Sequence, residues 1–248
     1  MLRKSFGALL VATLTGSSLF VTVGDAFAQT VPAVTAAPRY DKNNAPDAGW
    51  MKRHEKLLED SRKAREENGA TVVFLGDSIT QGWGQNETWK KFYVPRKALN
   101  LGIGGDRTQH VLWRLQNGEV EGLKPRAVVL MIGTNNSGSD SADDIANGVK
   151  AIVADLRSRL PETDVLLLGV FPRGKEPGPV RDKLKQVNSE IAKLDGGKVH
   201  YLDIGQTFLE KDDTISKEIM PDFLHLTPKG YERWAEAIEP SLKKLLAD

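Results

Sequence analysis

Residues 71–80 read Thr-Val-Val-Phe-Leu-Gly-Asp-Ser-Ile-Thr, and this stretch decides the predicted fold. Its first half, from Thr71 to Leu75, is a run of β-branched and apolar residues without polar alternation. Such a run is typical of a strand that is buried on both faces. Gly76 and Asp77 end the run, and Ser78 follows at once. The pattern predicts a parallel sheet whose carboxyl edge carries functional groups.

Four further apolar segments continue this pattern along the chain. They are residues 98–101, 127–132, 164–170 and 199–202. Segments with helical features lie before, between and after the strands. They are residues 50–68, 108–116, 142–160, 180–194 and 227–245. Strands that alternate with helices predict an α/β fold, in which a mostly parallel five-stranded sheet is covered on both faces.

The first 28 residues have the features of a secretory signal peptide. Basic Arg3 and Lys4 precede an apolar stretch from Phe6 to Val23, and Ala26-Phe27-Ala28 fits the small-x-small pattern of a signal peptidase site. A membrane anchor is the alternative, but the stretch is short and diluted for a spanning helix, which needs about 20 apolar residues. We therefore predict an exported protein, periplasmic or secreted, without stable membrane insertion after cleavage.

Composition and charge narrow the remaining possibilities. Residues 29–46 are rich in Ala, Pro, Thr and Asn and are interpreted as a flexible linker, which leaves residues 47–248 as the folded domain. The 34 Lys and Arg balance 33 Asp and Glu, so the sequence predicts no nucleic-acid partner. The absence of cysteine excludes a thiol nucleophile and a thiolate metal site.

Residues suited to acyl transfer follow the predicted strands. Ser78 follows the first strand, glycines at 102–105 follow the second, and Asn135 follows the third. Asp222 and His225 lie just before the last helix, three residues apart. A histidine can activate a serine hydroxyl, and a carboxylate can orient that histidine. Glycine N–H groups and an Asn amide are suitable donors to an oxyanion.

Other interpretations of the same residues remain open. Each could be structural, with Ser78 or Asp222 as a helix cap and His225 as an ordinary loop histidine. A metal-dependent hydrolase would use Asp77, Asp106, Asp222 and His225, although one histidine and scattered aspartates supply few of the ligands that zinc usually takes. A non-catalytic carbohydrate-binding or scaffold protein is the third possibility. The common position of these residues after strands favours the esterase.

The polar loops resemble the four sequence blocks of the SGNH, or GDSL-type, hydrolase superfamily. Gly76-Asp77-Ser78-Ile79 is similar to the first block, and Gly105 matches the glycine of the second. Gly133-Thr134-Asn135-Asn136 is similar to the third block and Asp222-Phe-Leu-His225 to the fourth. The resemblance extends from Trp50 to the C-terminus. Residues 99–108, 110–119, 171–174 and 222–227 also resemble the catalytic subunits of platelet-activating-factor acetylhydrolase Ib.

This resemblance implies a flavodoxin-like three-layer α/β/α sandwich and a serine ester hydrolase that needs no metal or other cofactor. It implies that Ser78 is the nucleophile, His225 the base and Asp222 the orienting acid. The oxyanion donors are then the backbone N–H groups of Ser78 and Gly105 and the side chain of Asn135.

The expected substrate is a small ester, an acylated carbohydrate or lipid with a short acyl group such as acetyl. The animal subunits are intracellular, so their lipid substrate is not transferred to a chain with a predicted export signal. Five residues are expected to contact substrate: Asp77, Ile79, Trp83, Thr134 and Leu224. Among these, Ile79 and Leu224 would wall a small acyl pocket unless they simply pack in the core, and Trp83 would stack on a sugar. The oligomeric state stays open, a dimer included.

Overall fold

A five-stranded parallel sheet forms the centre of the protein, for which a computed structural model describes residues 32–67 and 69–247. The strands are β1 (Val72–Gly76), β2 (Ala98–Gly102), β3 (Ala127–Met131), β4 (Asp164–Leu168) and β5 (Val199–Leu202). Their order in the sheet is β2-β1-β3-β4-β5, and every neighbouring pair is parallel. The predicted five-stranded parallel sheet is confirmed.

Helices cover both faces of this sheet, as the sequence pattern predicts. They are α1 (Ala48–Glu66), α2 (Ser78–Gln81), α3 (Glu87–Phe92), α4 (Thr108–Gln116), α5 (Ala142–Arg159), α6 (Pro179–Ile191) and α7 (Pro228–Leu246). Alternate side chains of β1 enter two separate apolar cores, because successive strand residues point to opposite faces. Val73 packs with α1, α4, α5 and α6, whereas Phe74 packs with α3 and α7. The result is a three-layer α/β/α sandwich.

The strands differ in burial according to their place in the sheet. β1 and β3 are buried along their whole length, since each has a strand on both sides and helices on both faces. The outer strands β2 and β5 are only partly buried over most of their length. This explains why the most continuous apolar runs in the sequence belong to the central strands.

Residues 32–46, which precede α1, pack against the folded domain. Ala33 and Ala37 are buried. The Thr108 hydroxyl donates to the Ala33 carbonyl at 2.9 Å, and the Ala37 N–H donates to the Gln109 carbonyl at 3.2 Å. The prediction of a flexible linker is therefore wrong for residues 32–46. The small side chains of this segment fit against α4, a tertiary contact that composition does not report.

The predicted signal peptide, residues 1–28, lies outside the described residues and stays a prediction. Across residues 32–67 and 69–247, no helix is long and apolar enough to cross a membrane.

Candidate active site

The loops that follow β1, β2 and β3 meet at the carboxyl edge of the sheet. The chain leaves β1 toward β2 on one side and reaches β3 on the other, so this edge contains the point where the strand order reverses. Loops on the two sides of such a point diverge and leave a crevice, where α/β proteins bind ligands. The loop before α7 reaches the same crevice, because His225 contacts Ser78 there.

Three polar side chains form a continuous hydrogen-bonded chain in this crevice. The Ser78 Oγ lies 2.9 Å from His225 Nε2, and His225 Nδ1 lies 2.6 Å from Asp222 Oδ2. When the ring proton sits on Nδ1 and is donated to Asp222, Nε2 is free to accept the proton of the Ser78 hydroxyl. The structure thus brings together the three residues that the sequence predicts as nucleophile, base and orienting acid.

A tight turn lets Asp222 and His225 contact each other. Phe223 lies in the left-handed region with φ of 60°, which costs a non-glycine residue about 1–2 kcal/mol. The Asp222 Oδ1 closes the turn by accepting the backbone N–H groups of Leu224 at 3.1 Å and His225 at 2.8 Å. One carboxylate oxygen therefore shapes the loop, while the other faces the imidazole.

Asp222 is kept in its charged form by these contacts. Desolvation works to raise the pKa of the carboxyl group, but the hydrogen bonds from the side chain and backbone of His225 and from Leu224 outweigh it. The pKa of Asp222 consequently lies below its ordinary value. A carboxylate at this position stabilises the imidazolium that forms when the histidine takes a proton.

The predicted oxyanion donors lie in the segments that follow β1, β2 and β3. Ser78 is the first residue of α2, where a backbone N–H has no intrahelical acceptor. The Gly105 residue is exposed, and its N–H has no hydrogen-bond partner within the described part of the chain. The Asn135 Nδ2 donates to the Asp106 carbonyl at 2.8 Å, which orients the amide and leaves its second N–H available. The arrangement can place three donors near one carbonyl oxygen.

Two glycines of the second loop are required by its conformation. Gly105 has a φ of 78°, and a Cβ atom there would collide with the Arg39 guanidinium. At Gly102 a Cβ atom would overlap the backbone of Gln81, so the end of β2 can approach α2 only without a side chain. The second loop therefore lies directly against the helix that begins with Ser78.

A buried charge network holds the oxyanion loop in place. The Asp106 carboxylate accepts the Trp50 indole N–H at 2.6 Å and pairs with the Arg114 Nε at 2.8 Å. Arg114 is fully buried, pairs also with Glu119, and donates to main-chain carbonyls at the ends of β1 and β2. Because Asp106 directly follows Gly105, the network holds the chain next to the predicted oxyanion donor Gly105. Sequence reasoning missed it, although a charged Arg114 between apolar Leu112 and Leu115 was a usable signal.

The metal-dependent alternative finds no ligand set in residues 32–67 and 69–247. No group of three or more His, Cys, Asp or Glu side chains is placed there to hold a metal ion. Asp77 and Asp106 are buried, and Asp106 pairs with Arg114. Among the same residues, the Asp222 carboxylate accepts hydrogen bonds from the His225 ring and from backbone N–H groups of its own turn.

Trp83 does not face the crevice. Its side chain is 0% exposed and packs against Tyr231, Trp234 and Tyr93, with ring centroids 4.5, 4.9 and 5.2 Å away. The prediction that Trp83 stacks on a sugar is therefore wrong. The flanking glycines at 82 and 84 suggested an open loop, but the short helical turn there directs the indole into the core below α7.

Most other predicted substrate contacts are also buried. Asp77, Ile79 and Thr134 are at most 1% exposed, which rules out direct side-chain contact with a bound ester in this conformation. Asp77 instead caps α2 by accepting the Ile79 N–H at 2.9 Å. Ile79 packs in the aromatic core beneath α7. Leu224, beside His225, is partly exposed and remains a candidate wall of the acyl pocket.

The buried Asp77 predicts a pH-dependent stability. Desolvation is the main cause that raises the pKa of Asp77 to about 7 from 3.8; the Ile79 hydrogen bond opposes it and the charge of Asp106 adds to it. The folded state therefore keeps this proton to higher pH than the unfolded chain does. The wild type should lose stability as pH rises from about 4 to about 7, by at most about 4 kcal/mol.

The Asp77→Asn variant isolates this effect, because Asn keeps the acceptor for Ile79 and has no proton to lose. Its melting temperature, measured by calorimetry from pH 4 to 9, should rise relative to wild type up to about pH 7 and then level off. Asp143→Asn, at an exposed position on α5, is the control and should show no such trend. A pH-independent difference for Asp77→Asn would show that Asp77 is charged in the folded state throughout.

The fold and these four loops define the class of the protein. A model of the GDSL-like Lipase/Acylhydrolase family matches residues 74–233, from β1 into α7. The chain belongs to this family, and the resemblance of its four sequence blocks to GDSL-type hydrolases is confirmed. Family membership supports a hydrolase that acts on esters.

Individual proteins similar to this chain include an acetylhydrolase subunit and solved structures with the same fold. The chain is 42% identical over 218 residues to platelet-activating factor acetylhydrolase IB subunit alpha1 of Homo sapiens, an alignment that covers 87% of this chain and 91% of that protein. A GDSL-like lipase from Bacteroides thetaiotaomicron superposes with a TM-score of 0.66 at 20% identity over 77% of this chain and 97% of its own. A carbohydrate acetylesterase from Sinorhizobium meliloti gives 0.53 at 20% identity over 70% and 98%. The two structures share the fold.

Proposed function

We propose that the protein is a serine ester hydrolase with Ser78 as nucleophile, His225 as general base and Asp222 as the carboxylate that orients it. The observation that carries this proposal is the unbroken contact from Ser78 Oγ through the imidazole to Asp222, at 2.9 and 2.6 Å. Membership in an acylhydrolase family supports the same reaction class.

The reaction proceeds through an acyl-enzyme. His225 Nε2 takes the Ser78 proton while Oγ attacks the ester carbonyl carbon, and the carbonyl oxygen becomes an oxyanion. The N–H groups of Ser78, Gly105 and Asn135 stabilise this charge. Collapse of the intermediate breaks the bond to the alcohol, which leaves with the proton from His225. A water molecule then releases the acyl group as a carboxylic acid by the same steps.

Short acyl groups are the proposed substrates. Ile79 and Trp83, next to the nucleophile in sequence, are packed in the core, so their side chains do not line a channel for a long acyl group. The names of two similar proteins, an acetylhydrolase subunit and a carbohydrate acetylesterase, point in the same direction. We propose an acetyl ester of a carbohydrate or lipid as the natural substrate class.

A chain-length series tests the proposal. We expect the purified protein to hydrolyse p-nitrophenyl acetate with a kcat/KM at least about tenfold above that for the octanoate, because added methylenes have no prepared space. The butyrate should fall between them. A maximum at octanoate would reject the short acyl pocket but keep the esterase. Failure to hydrolyse any ester would contradict the esterase itself and favour a binding protein that retains the fold.

We also propose that the hydrolase acts outside the cytoplasm. The support is the basic start at Arg3 and Lys4, the apolar stretch from Phe6 to Val23 and the Ala26-Phe27-Ala28 site in the sequence. Export would bring the enzyme to acylated sugars or lipids of the envelope or the medium.

A further inference from the structure

Three arginines surround the loops that carry the oxyanion donors. Arg39, from the segment before α1, donates to the Gly104 carbonyl at 2.9 Å. Arg107, just before α4, donates to the Ser139 Oγ at 3.1 Å. Arg173, in the loop after β4, donates to the Thr134 carbonyl at 3.1 Å. They come from three separate parts of the sequence, and each contacts a loop that follows β2 or β3.

The contacts of Arg39 and Arg173 place them next to the proposed reacting groups, and Arg107 follows Gly105 by two residues. Gly104 adjoins Gly105 and lies so close to the nucleophile that a Cβ on it would be 3.7 Å from the Ser78 Cβ. Thr134, which Arg173 contacts, directly precedes Asn135. The residue after Arg173 donates its N–H to the Phe223 carbonyl at 2.9 Å, inside the turn that carries Asp222 and His225. A substrate group that extends from Ser78 therefore enters the neighbourhood of the arginines.

Few carboxylates pair with Arg39, Arg107 and Arg173 within the described residues. Within the described residues, neither Arg107 nor Arg173 has a carboxylate within 4.0 Å, and both are partly exposed. Arg39 has one carboxylate partner, Asp47, at a long 3.5 Å, and its side chain is 29% exposed.

Two nearby carboxylates contact an arginine or an imidazole, and a third accepts neutral donors, one of which is the Ser139 hydroxyl that Arg107 contacts. Asp106 pairs with Arg114, and Asp222 contacts His225. Asp140 accepts hydrogen bonds from the side chains of Asn136 and Ser139.

The positive charge of these arginines affects the pKa of His110, which lies in the first turn of α4. Burial first, and then the charges of Arg39, Arg107 and Arg114, lower the pKa of His110 to about 3. Of these three, Arg114 forms ion pairs with two buried carboxylates, Arg39 interacts more weakly with Asp106 and Asp47, and Arg107 has no carboxylate within 4.0 Å in the described residues. A partly desolvated guanidinium without a carboxylate is costly unless a ligand supplies the anion. Guanidinium groups suit carboxylates and phosphates, which they can bind through two parallel hydrogen bonds.

We propose that the site selects esters that carry an anionic group, a carboxylate or a phosphate, outside the acyl group, and that Arg39, Arg107 and Arg173 bind this group. The inference rests on the proposed esterase function and narrows its substrates to acidic sugars, phosphorylated alcohols or similar acylated anions. A neutral ester would leave Arg107 and Arg173 without an anionic partner during the reaction.

A matched pair of substrates tests the charge preference. 4-Acetoxybenzoate carries a carboxylate, and 4-acetoxybenzamide has nearly the same shape without the charge. We expect the wild type to show a kcat/KM ratio of anionic to neutral ester of about 10 or more at low salt, and a smaller ratio at high salt. 4-Acetoxyphenyl phosphate distinguishes the two anions, because the better-bound one will give the higher kcat/KM.

The Arg107→Gln variant is the most informative, since Arg107 makes one side-chain hydrogen bond, to an exposed serine, and its loss disturbs the fold least. We expect its anionic-to-neutral ratio to fall by about three- to tenfold, with Arg39→Gln and Arg173→Gln in the same direction. Arg62→Gln, which removes an exposed cation on α1 that pairs with Glu66, is the control and should keep the wild-type ratio.

The outcomes separate this inference from the proposed function. Equal kcat/KM for the two esters, with ratios unaffected in the arginine variants, would overturn the charge preference and leave the esterase standing. Absence of hydrolysis for every ester would contradict the esterase. In that case calorimetric titration with 4-acetamidobenzoate still decides the inference: binding that Arg107→Gln weakens supports an anion site, and absence of binding overturns it.

Discussion

Replacement of Ser78 with alanine is expected to lower kcat for p-nitrophenyl acetate by about 10⁴-fold to 10⁶-fold. The Ser78 Oγ is the hydroxyl oxygen that His225 Nε2 contacts at 2.9 Å, while the other ring nitrogen contacts Asp222. Without it the acyl-enzyme cannot form, so only direct attack by water remains. Steady-state kinetics on both proteins give the result.

A matched control keeps this experiment specific. Ser158 is an exposed serine on α5, which packs on the opposite face of the sheet from α7. Ser158→Ala should therefore hydrolyse the ester like wild type. Melting temperatures of both variants should stay close to wild type, because neither change removes buried apolar surface. Equal activity of Ser78→Ala and wild type would show that the hydrolysis does not use Ser78.

The Asp222→Asn variant is expected to lower kcat by about 10³-fold to 10⁴-fold. Asn keeps the oxygen that accepts the backbone N–H groups of Leu224 and His225, so the turn is preserved. Its NH₂ group now faces His225 Nδ1, which favours the tautomer with the proton on Nε2. That tautomer cannot accept the Ser78 proton.

The size of this loss measures how much the carboxylate contributes. The Asp222 side chain is 53% exposed, so water has access to it, and we expect the lower end of the range. Asp143→Asn on α5 serves as the control for a loss of exposed negative charge. A variant that keeps more than a tenth of the wild-type kcat would indicate that another group or water orients His225.

The sheet could be predicted from sequence because burial on two faces leaves a local signature. The apolar runs at 71–75 and 127–132 correspond to β1 and β3, whose ends differ from the prediction by one residue. The helices α2 and α3 were not predicted, because four and six residues are too few to show a helical period. Their positions depend on capping by Asp77 and Asn86.

The three proposed catalytic residues could be named from sequence because Ser78 follows a predicted strand and Asp222 and His225 match the fourth block of the SGNH superfamily. In the structure the His225 ring lies within hydrogen-bond distance of both Ser78 and Asp222. What surrounds them could not be predicted, since it depends on tertiary packing. Trp83 is a core residue because α7 brings Tyr231 and Trp234 onto it, and Arg39 reaches the oxyanion loop because residues 32–46 fold back against α4.

Covalent labelling tests the central claim, that Ser78 is the activated nucleophile, most directly. The protein would be treated with an organophosphate such as paraoxon, and the adduct located by intact mass and peptide mapping. The account predicts one diethylphosphoryl group per chain, on Ser78, with activity lost in proportion to labelling and no adduct in Ser78→Ala. Full inactivation with the label on another residue, or undiminished hydrolysis by a protein fully labelled at Ser78, would contradict it.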